Sequence, residues 1–235
     1  MIFDNKEIVS VFSRRPLNMS LVYGPQMSSI RNRKHFLEQF GIDYRDLVSC
    51  HQTHGANVKI AEESDRGRGS IITDNLIANT DALITNKRQL PLAMFTADCL
   101  SVFLFDAKNK VIGIAHAGWK GAKEQVAAKA VSAMVEKFQT DTMFLEVGFG
   151  PCLRECCYEV GREFNDYFDS GLIKKKEKLY LDLIGINKKQ LLNSGVKEKN
   201  ISDSKICTSC DNKEYFSYRK EGLACGRMIS VMMLK

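Results

Sequence analysis

Cys99 and His116 are a thiol and an imidazole that the sequence places across a predicted β-hairpin. Two apolar, β-rich runs flank the polar break at residues 106–109, whose composition is typical of a turn. If the turn pairs Phe105 with Lys110, Cys99 falls opposite His116. Directly opposed side chains share one face with Cβ atoms about 4.5–5.5 Å apart, which suits two ligands of one zinc ion at about 2.0–2.3 Å. A buried cysteine opposite a hydrogen-bonded core histidine explains the hairpin equally well.

A third ligand is available just before another strand-like run. The chain has 4 histidines, and His51 and His54 lie in the segment 50–55, directly before the run at residues 56–61. An imidazole at the entrance of that strand would complete a Cys/His/His set. Three protein ligands with an open fourth position are typical of catalytic zinc, whereas structural sites are closed by four. The pattern therefore favours a catalytic metal.

Composition excludes several classes of protein. With 235 residues, 44% of them hydrophobic, the chain suits one large domain or two small ones. The longest apolar runs are shorter than the roughly 20 residues that span a bilayer, and the N-terminus has early acidic residues without a long apolar core. We therefore expect a cytoplasmic protein with no membrane partner. The net charge of +6 lies largely in lysine runs, without the aromatic–basic interleaving of a nucleic-acid platform, and it favours anionic substrates over nucleic acid.

The 8 cysteines are expected to be reduced thiols, because no secretory signal accompanies them. Cys156 and Cys157 are adjacent, and Cys207 and Cys210 form a C-x-x-C motif. The two pairs offer four thiolates for a second zinc. The adjacent pair is poorly spaced for a zinc knuckle, however, and the motifs contain no histidine. This favours unreacted buried thiols.

The periodicity predicts one mixed α/β domain over residues 1–235, in which a layered α/β sandwich has mixed β-sheets and flanking helices. No repeat, low-complexity segment or Pro-rich linker divides it. Strands are predicted at residues 8–12, 47–61 (one or two, carrying both histidines), 81–85, 92–97, 144–148, 179–182, 215–218 and 228–234. Helices are predicted at residues 28–40, from 118 onward, 158–168 and 183–193.

The segment Gly118-Trp119-Lys120-Gly121 opens one of these helices. Two glycines and a lysine at a helix N-terminus offer free backbone N–H groups and positive charge to an anion, directly after His116. The same glycines are also typical of a tight strand-to-helix turn, which needs no ligand.

Several ordered motifs together resemble one family. These are His51-Gln52-Thr53-His54-Gly55, Thr96-Ala97-Asp98-Cys99, His116-Ala117-Gly118-Trp119-Lys120-Gly121, Gly150-Pro151-Cys152 with Cys156-Cys157-Tyr158-Glu159-Val160-Gly161, and Phe216-Ser217-Tyr218-Arg219 with Gly226-Arg227-Met228. The chain resembles the laccase-domain family, whose members have been called polyphenol oxidases, peptidoglycan editing factors and multifunctional purine nucleoside enzymes.

The resemblance implies a layered α/β sandwich and a set of site residues. The zinc ligands carried over are His54, Cys99 and His116, the same side chains that the hairpin and its neighbouring histidines suggest. Segments that include Ser20 and Arg33 are expected to border the pocket, with Arg33 as a phosphate or substrate ligand. Departures at residues 152–155 and in the Cys207–Cys210 spacing affect the expected pocket and leave the three ligands unchanged.

The implied activity is that of a zinc enzyme acting on purine nucleosides. Zinc-activated water would deaminate adenosine at C6, or phosphate held near Arg33 and Lys120 would attack C1′ of adenosine, inosine or 5′-methylthioadenosine. Nucleoside and phosphate are then the expected partners. Asp98 is the candidate for proton transfer or ligand orientation, provided that the strand bulges there, because strand neighbours point to opposite faces.

Three alternatives stay open. The same metal would serve a peptidoglycan editing amidase that acts on UDP-muramoyl-L-serine. A thiolate and two imidazoles also hold copper, as polyphenol oxidation requires, although 4 histidines are few for several copper ions. A zinc-stabilised binding module is the non-enzymatic alternative, and three ligands instead of four argue against it.

Overall fold

A six-stranded mixed sheet forms the centre of the structure, a computed structural model that describes residues 2–235. The strands, in chain order, are β1 (Ile8–Phe12), β2 (Val58–Ile60), β3 (Ala82–Thr85), β4 (Leu92–Thr96), β5 (Leu100–Asp106), β6 (Val111–Ala117), β7 (Glu146–Phe149), β8 (Glu159–Val160), β9 (Leu172–Lys175), β10 (Lys178–Leu181), β11 (Ile201–Asp203) and β12 (Met228–Leu234). The α-helices are α1 (Gln26–Glu38), α2 (Trp119–Lys123), α3 (Val126–Phe138), α4 (Leu183–Asn193) and α5 (Tyr218–Glu221).

Three sheets organise these strands. The central sheet has the order β11-β7-β5-β6-β3-β2, with parallel pairing at both edges and antiparallel pairing between them. A second, antiparallel sheet has the order β1-β12-β4, and a small third sheet has the order β8-β10-β9. The chain crosses from the second sheet to the central one between β4 and β5, at residues 97–99.

The strands of the central sheet are buried on both faces, which explains their nearly continuous apolar sequences. In β5, Val102 and Leu104 pack with α3 and α4, whereas Phe103 and Phe105 pack against the second sheet. The far face of the second sheet packs on α1 through residues such as Leu37. The result is the predicted mixed α/β sandwich, with four layers in the order helices, sheet, sheet, helix.

The sequence located several elements well. The predicted strands at residues 8–12 and 228–234 and the helix at 183–193 coincide with β1, β12 and α4. The long helix expected from residue 118 is divided into α2 and α3 by Gln125, whose φ is 62°. Among residues 2–235, no helix has both the length and the apolar character needed to cross a membrane.

Three other predictions of secondary structure are wrong. The segment 158–168 forms β8 and a 3₁₀ helix at Arg162–Asp166, because residues 159–160 pair with β10. The segment 215–218 forms no strand, and its aromatic residues Tyr215 and Phe216 are buried in a small separate cluster. The histidines of segment 47–61 lie on the loop before β2 and not on a strand.

The predicted hairpin exists, but its register is wrong. Leu100 pairs with Ala117 and Asp106 with Val111, so Ser101 lies opposite His116. The turn begins one residue later than the composition indicated and ends at Lys110, whose φ is 53°. Cys99 therefore lies outside β5, directly before its first residue, Leu100.

Candidate metal centre and pocket

His54, Cys99 and His116 converge although the predicted register is wrong. One ligand atom of each lies within 4.8 Å of the others, and the two imidazole rings have centroids 4.8 Å apart at an interplanar angle of 67°. His116 is buried at the end of β6, Cys99 is half-buried, and His54 is exposed to the pocket. Three different segments thus supply one cluster of donors.

Two of these segments use left-handed backbone at a non-glycine residue. His54 has a φ of 60° and Asp98 a φ of 90°, values that L-residues adopt only when surrounding contacts hold them. At Asp98 the chain bends between the two sheets, which turns Cys99 toward His116. The bend takes the place of the direct cross-strand pairing that the sequence suggested.

The carboxylate of Asp81, the residue just before β3, holds two of the ligand segments together. It contacts Nδ1 of His116 at 2.9 Å through Oδ1. It also accepts the backbone N–H groups of Thr53, His54 and Gly55 at 2.9–3.1 Å. The other ring nitrogen of His116, Nε2, is left for a metal, which is the arrangement expected of a histidine ligand backed by a carboxylate.

Gly118 allows the close approach of the ligands. A Cβ atom at this position would lie 2.8 Å from Cys99 Sγ and 3.1 Å from His54 Nδ1, closer than van der Waals contact permits. The helix that follows, α2, has only 5 residues. Gly118 therefore acts as part of a close-packed turn, in agreement with the simpler of the two interpretations of this motif.

The electrostatics of the cluster favour a thiolate. Burial opposes ionisation of Cys99, but the neighbouring His116 outweighs it and lowers the pKa of the thiol to about 6. Burial likewise opposes protonation of His116, whereas the Cys99 thiolate and Asp81 raise the pKa of the imidazole to about 9. Without a metal, the negative thiolate therefore pairs with a protonated imidazole, and a metal ion bound there would replace that proton.

The cluster fits a single soft or borderline divalent ion. Thiolate and imidazole donors are those that zinc prefers, and the Gly118 contact and the Asp81 carboxylate fix their positions. The protein supplies three donor atoms, so a fourth coordination position is left for an exogenous ligand. The arrangement matches a metal centre with an open position.

A cavity of about 710 Å³ opens above the cluster, within the size range of small-molecule sites. Aromatic side chains line it, among them Phe95, Trp119, Tyr158 and Tyr218. Trp119 is itself held by Tyr167, which stacks at a centroid distance of 5.5 Å. The cavity therefore offers flat apolar surfaces beside the metal ligands.

Three arginines line the same cavity, and none of them forms an ion pair within residues 2–235. Arg33 is buried and donates to the carbonyl groups of Met19, Gly69 and Ser70 at 2.6–3.0 Å. Burial lowers its pKa to about 9, so it stays charged at neutral pH. Arg219 and Arg227 likewise bond to backbone carbonyls. Arginines in a cavity that form no ion pair favour an anionic ligand.

The other predicted site residues have different surroundings. Ser20 lines the cavity, and its hydroxyl accepts the N–H groups of Val22 and Tyr23 at 3.0 Å. Lys120 is exposed, lies 5.5 Å from the centroid of the Trp119 ring, and is not among the cavity-lining residues. The structure thus brings Ser20 to the cavity but not Lys120.

Asp98 lines the cavity, and both of its carboxylate oxygens accept hydrogen bonds. Oδ1 accepts Thr208 Oγ1 and Oδ2 accepts the N–H of Arg219, each at 2.6 Å. These bonds tie the bend that carries Cys99 to the segment that carries Arg219.

Asp81, Arg219 and Arg227 were not assigned a role from the sequence. Asp81 had one signal, a carboxylate directly before a short buried strand, where an unpaired charge is costly. Arg219 and Arg227 lie in motifs used for the family resemblance, but the sequence gives no indication that they meet in one cavity. Their contribution depends on the packing of chain-distant segments.

The comparisons with known proteins identify a family for this chain and agree with its fold. Residues 3–235 match the family described as multi-copper polyphenol oxidoreductase laccase, and the chain belongs to that family. A purine nucleoside phosphorylase of Bacillus subtilis, YlmD, is 29% identical over 99% of this chain and 90% of its own length. An adenosine deaminase, RL5, from an unknown prokaryotic organism is 29% identical over 80% of this chain and 75% of its own.

The fold also matches a solved structure. The crystal structure of YlmD from Geobacillus stearothermophilus has a TM-score of 0.94 and 27% sequence identity, covering 98% of this chain and 93% of that chain. The mixed α/β architecture is therefore shared with that protein along nearly the whole chain.

Proposed function

We propose that this chain is a zinc-dependent purine nucleoside phosphorylase that also deaminates adenosine. The observation that supports this most directly is that the His54, Cys99 and His116 cluster shares one cavity with three arginines that form no ion pair within residues 2–235. The names of the relatives from Bacillus subtilis and from the unknown prokaryote point to the same substrate class.

Zinc is the metal proposed because one thiolate and two imidazoles with an open position form a catalytic zinc ligand set. Bound there, it would supply Lewis acidity and would lower the pKa of a coordinated water toward about 7. Copper-dependent polyphenol oxidation requires several copper ions. One of the 4 histidines, His35, is exposed on α1 and lies outside the metal-ligand cluster. The remaining histidines in residues 2–235 are too few to ligate several copper ions.

The arginines are proposed to bind phosphate. Arg219 and Arg227 stack near the tyrosines of the cavity, Arg219 at 5.3 Å from the ring centroid of Tyr158 and Arg227 at 3.9 Å from that of Tyr23. A guanidinium fixed against a ring presents its remaining N–H groups in one plane, which suits two oxygens of a phosphate. These two arginines take the place that the sequence had suggested for Lys120, while Arg33 supplies charge from the floor of the cavity.

In the phosphorolysis reaction, a phosphate oxygen forms a bond to C1′ of the ribose, and the N9–C1′ bond breaks with its electron pair passing to the purine. The purine then takes up a proton, and the products are the free base and ribose 1-phosphate. The aromatic walls would hold the purine by stacking. Asp98 is proposed to act by positioning Arg219, since both of its oxygens are engaged.

The experiment is a substrate panel with the purified, zinc-loaded protein. Adenosine, inosine and 5′-methylthioadenosine are each incubated with and without phosphate. Free base, the corresponding sugar 1-phosphate (ribose or 5-methylthioribose 1-phosphate) and ammonia are quantified. We expect base release that requires phosphate, and ammonia from adenosine. Absence of turnover for all three nucleosides would contradict the proposal, and release of L-serine from UDP-muramoyl-L-serine in the same preparation would then favour the amidase alternative.

A matched pair of variants tests the phosphate assignment. Arg227→Gln removes a charge from the cavity, whereas Arg31→Gln removes an exposed charge from α1. Because a charge-assisted bond contributes about 1.5–3 kcal/mol, Arg227→Gln should raise KM for phosphate by about tenfold or more. Equal KM values in the two variants would remove Arg227 from the phosphate site.

A further inference from the structure

Four cysteine sulfurs form a second cluster, separate from the His54, Cys99 and His116 group. They belong to Cys156, Cys157, Cys207 and Cys210, and all lie within 4.8 Å of one another. Cys156 and Cys210 are exposed, so the expectation of buried thiols is wrong for them. The sequence underestimated this cluster because adjacent cysteines are unfavourable for a knuckle within one segment, whereas here two segments share the ligation.

We propose that Cys156, Cys157, Cys207 and Cys210 form a structural zinc site that joins two segments of the cavity wall. Four thiolates with no open position are the typical ligand set of structural zinc. The proposal does not depend on the nucleoside activity.

The sulfur separations fit ligands of one ion. Cys157 and Cys210 have sulfurs 3.4 Å apart, and Cys156 and Cys210 have sulfurs 3.6 Å apart. Tetrahedral zinc with Zn–S bonds of about 2.3 Å places its sulfurs roughly 3.8 Å apart, whereas a disulfide needs about 2.05 Å. The cluster is therefore closer to zinc ligation than to a disulfide.

The backbone holds the two segments in place independently of the thiols. Cys152 and Cys207 form a parallel β-bridge, in which Thr208 N–H donates to Cys152 O at 3.0 Å. Each segment then turns, so that Cys156 and Cys157 face Cys210.

Cations surround the turn that carries the adjacent pair. Lys175 Nζ donates to Glu155 O at 3.2 Å, and Arg219 donates to Cys157 O at 3.3 Å. A zinc ion with four thiolates has a net charge of −2, so nearby cations offset its charge. The local charge thus favours the metallated form of the cluster.

The site would fix one wall of the cavity. The first segment continues to Tyr158 and Glu159, and the second to Tyr218 and Arg219, and all four residues line the cavity. Without a metal, the two segments are joined by the Cys152–Cys207 bridge and by the hydrogen bonds from the Arg219 side chain to Cys157 O and Glu159 O. We therefore expect the zinc to restrain the position of Arg219 relative to the His54, Cys99 and His116 cluster.

The test is metal stoichiometry of the full chain, purified under reducing conditions and measured by mass spectrometry of bound metals. The wild type should carry two equivalents of zinc, one for each cluster. Cys210→Ser and Cys99→Ala should each carry one, the double variant none, and Cys225→Ala, a matched control outside both clusters, should keep two. One equivalent in the wild type and in Cys210→Ser alike would overturn the proposal.

Cobalt absorption and amide hydrogen exchange provide a second test of the four-cysteine site. When the Cys99→Ala variant is loaded with cobalt, it should show the intense near-ultraviolet charge-transfer absorption of a four-thiolate site. The double variant Cys99→Ala, Cys210→Ser should lack this absorption. Amide exchange at residues 153–160 and 208–219 should be faster in Cys210→Ser than in Cys225→Ala. A Cys156–Cys210 or Cys157–Cys210 disulfide that persists in wild type purified under reducing conditions, or unchanged exchange, would contradict a structural zinc.

Discussion

At the scale of single residues, Asp81 connects the ligand histidines to the fold. Its carboxylate is fully buried, contacts His116 and accepts three N–H groups from the loop that carries His54. Burial opposes its ionisation, but His116 and the backbone N–H groups hold the pKa of this carboxyl below its usual value. The charge is therefore maintained where it orients the ligands.

Asp81→Asn should weaken metal binding while keeping the shape of the side chain. The amide presents one oxygen instead of two to the N–H groups and loses the charge beside His116. Loss of such a supporting partner lowers metal affinity by about 10–100-fold, which competition with a chromophoric zinc chelator measures. Asp106→Asn, a buried carboxylate in the hairpin turn at the other end of β5, is the control, and equal zinc affinity in both variants would refute the role of Asp81.

Gly118→Ala should disturb the same site through steric contact alone. The added methyl group would lie 2.8 Å from Cys99 Sγ, and an overpacking cost of about 1–3 kcal/mol corresponds to a loss of zinc affinity of roughly 5- to 150-fold. Gly150→Ala, whose nearest atoms would lie at an ordinary 3.4 Å, should bind zinc as the wild type does. Zinc titration measures the affinity of the two variants. Wild-type zinc affinity in Gly118→Ala would show that the ligands do not need this close approach.

At the scale of elements, the bend between β4 and β5 joins the metal centre to the cavity wall. Asp98 has a left-handed φ of 90° and receives hydrogen bonds from Thr208 and from the N–H of Arg219. Those bonds hold the bend, which in turn directs Cys99. A substitution at Thr208 or Arg219 should therefore affect the bend.

Thr208→Val tests this connection because it removes a hydroxyl and keeps the shape of the side chain. A hydrogen bond to a charged group contributes about 1.5–3 kcal/mol, so urea unfolding should show a loss of that size. Thr140→Val is the control, since its buried hydroxyl has no partner within residues 2–235, and its stability should change by less than about 0.5 kcal/mol. Equal effects of the two substitutions would show that the Asp98–Thr208 bond does not stabilise the bend.

The elements also show how far the sequence predicts this site. The apolar runs located β5 and β6. The chemistry of the donors indicated Cys99, His116 and one of the two histidines before β2, and the family resemblance selected His54. The register failed because a left-handed Lys110 moved the turn by one residue. A bend at Asp98, and not cross-strand pairing, turns Cys99 inward. This bend is held by hydrogen bonds to residues more than a hundred positions away, and no local sequence pattern reveals such bonds.

At the scale of the whole molecule, the metal centre lies where the chain crosses between the two packed sheets. The four layers bury both faces of the central sheet, so the crossing point is one of few places where polar side chains meet without disrupting the core. The arginines arrive there from α1, from the segment after Cys210 and from the start of β12. The mixed α/β sandwich thus brings three arginines together beside a ligand set that comes from strand ends and a loop.

Nucleoside turnover is proposed to require the metal that His54, Cys99 and His116 would hold. The most direct measurement compares zinc content and phosphorolysis rate in the wild type, in Cys99→Ala and in the control Cys225→Ala. We expect Cys99→Ala to lose one equivalent of zinc and more than about 100-fold in kcat/KM, since loss of supporting groups alone costs about 10–100-fold. Undiminished phosphorolysis in Cys99→Ala would contradict the account.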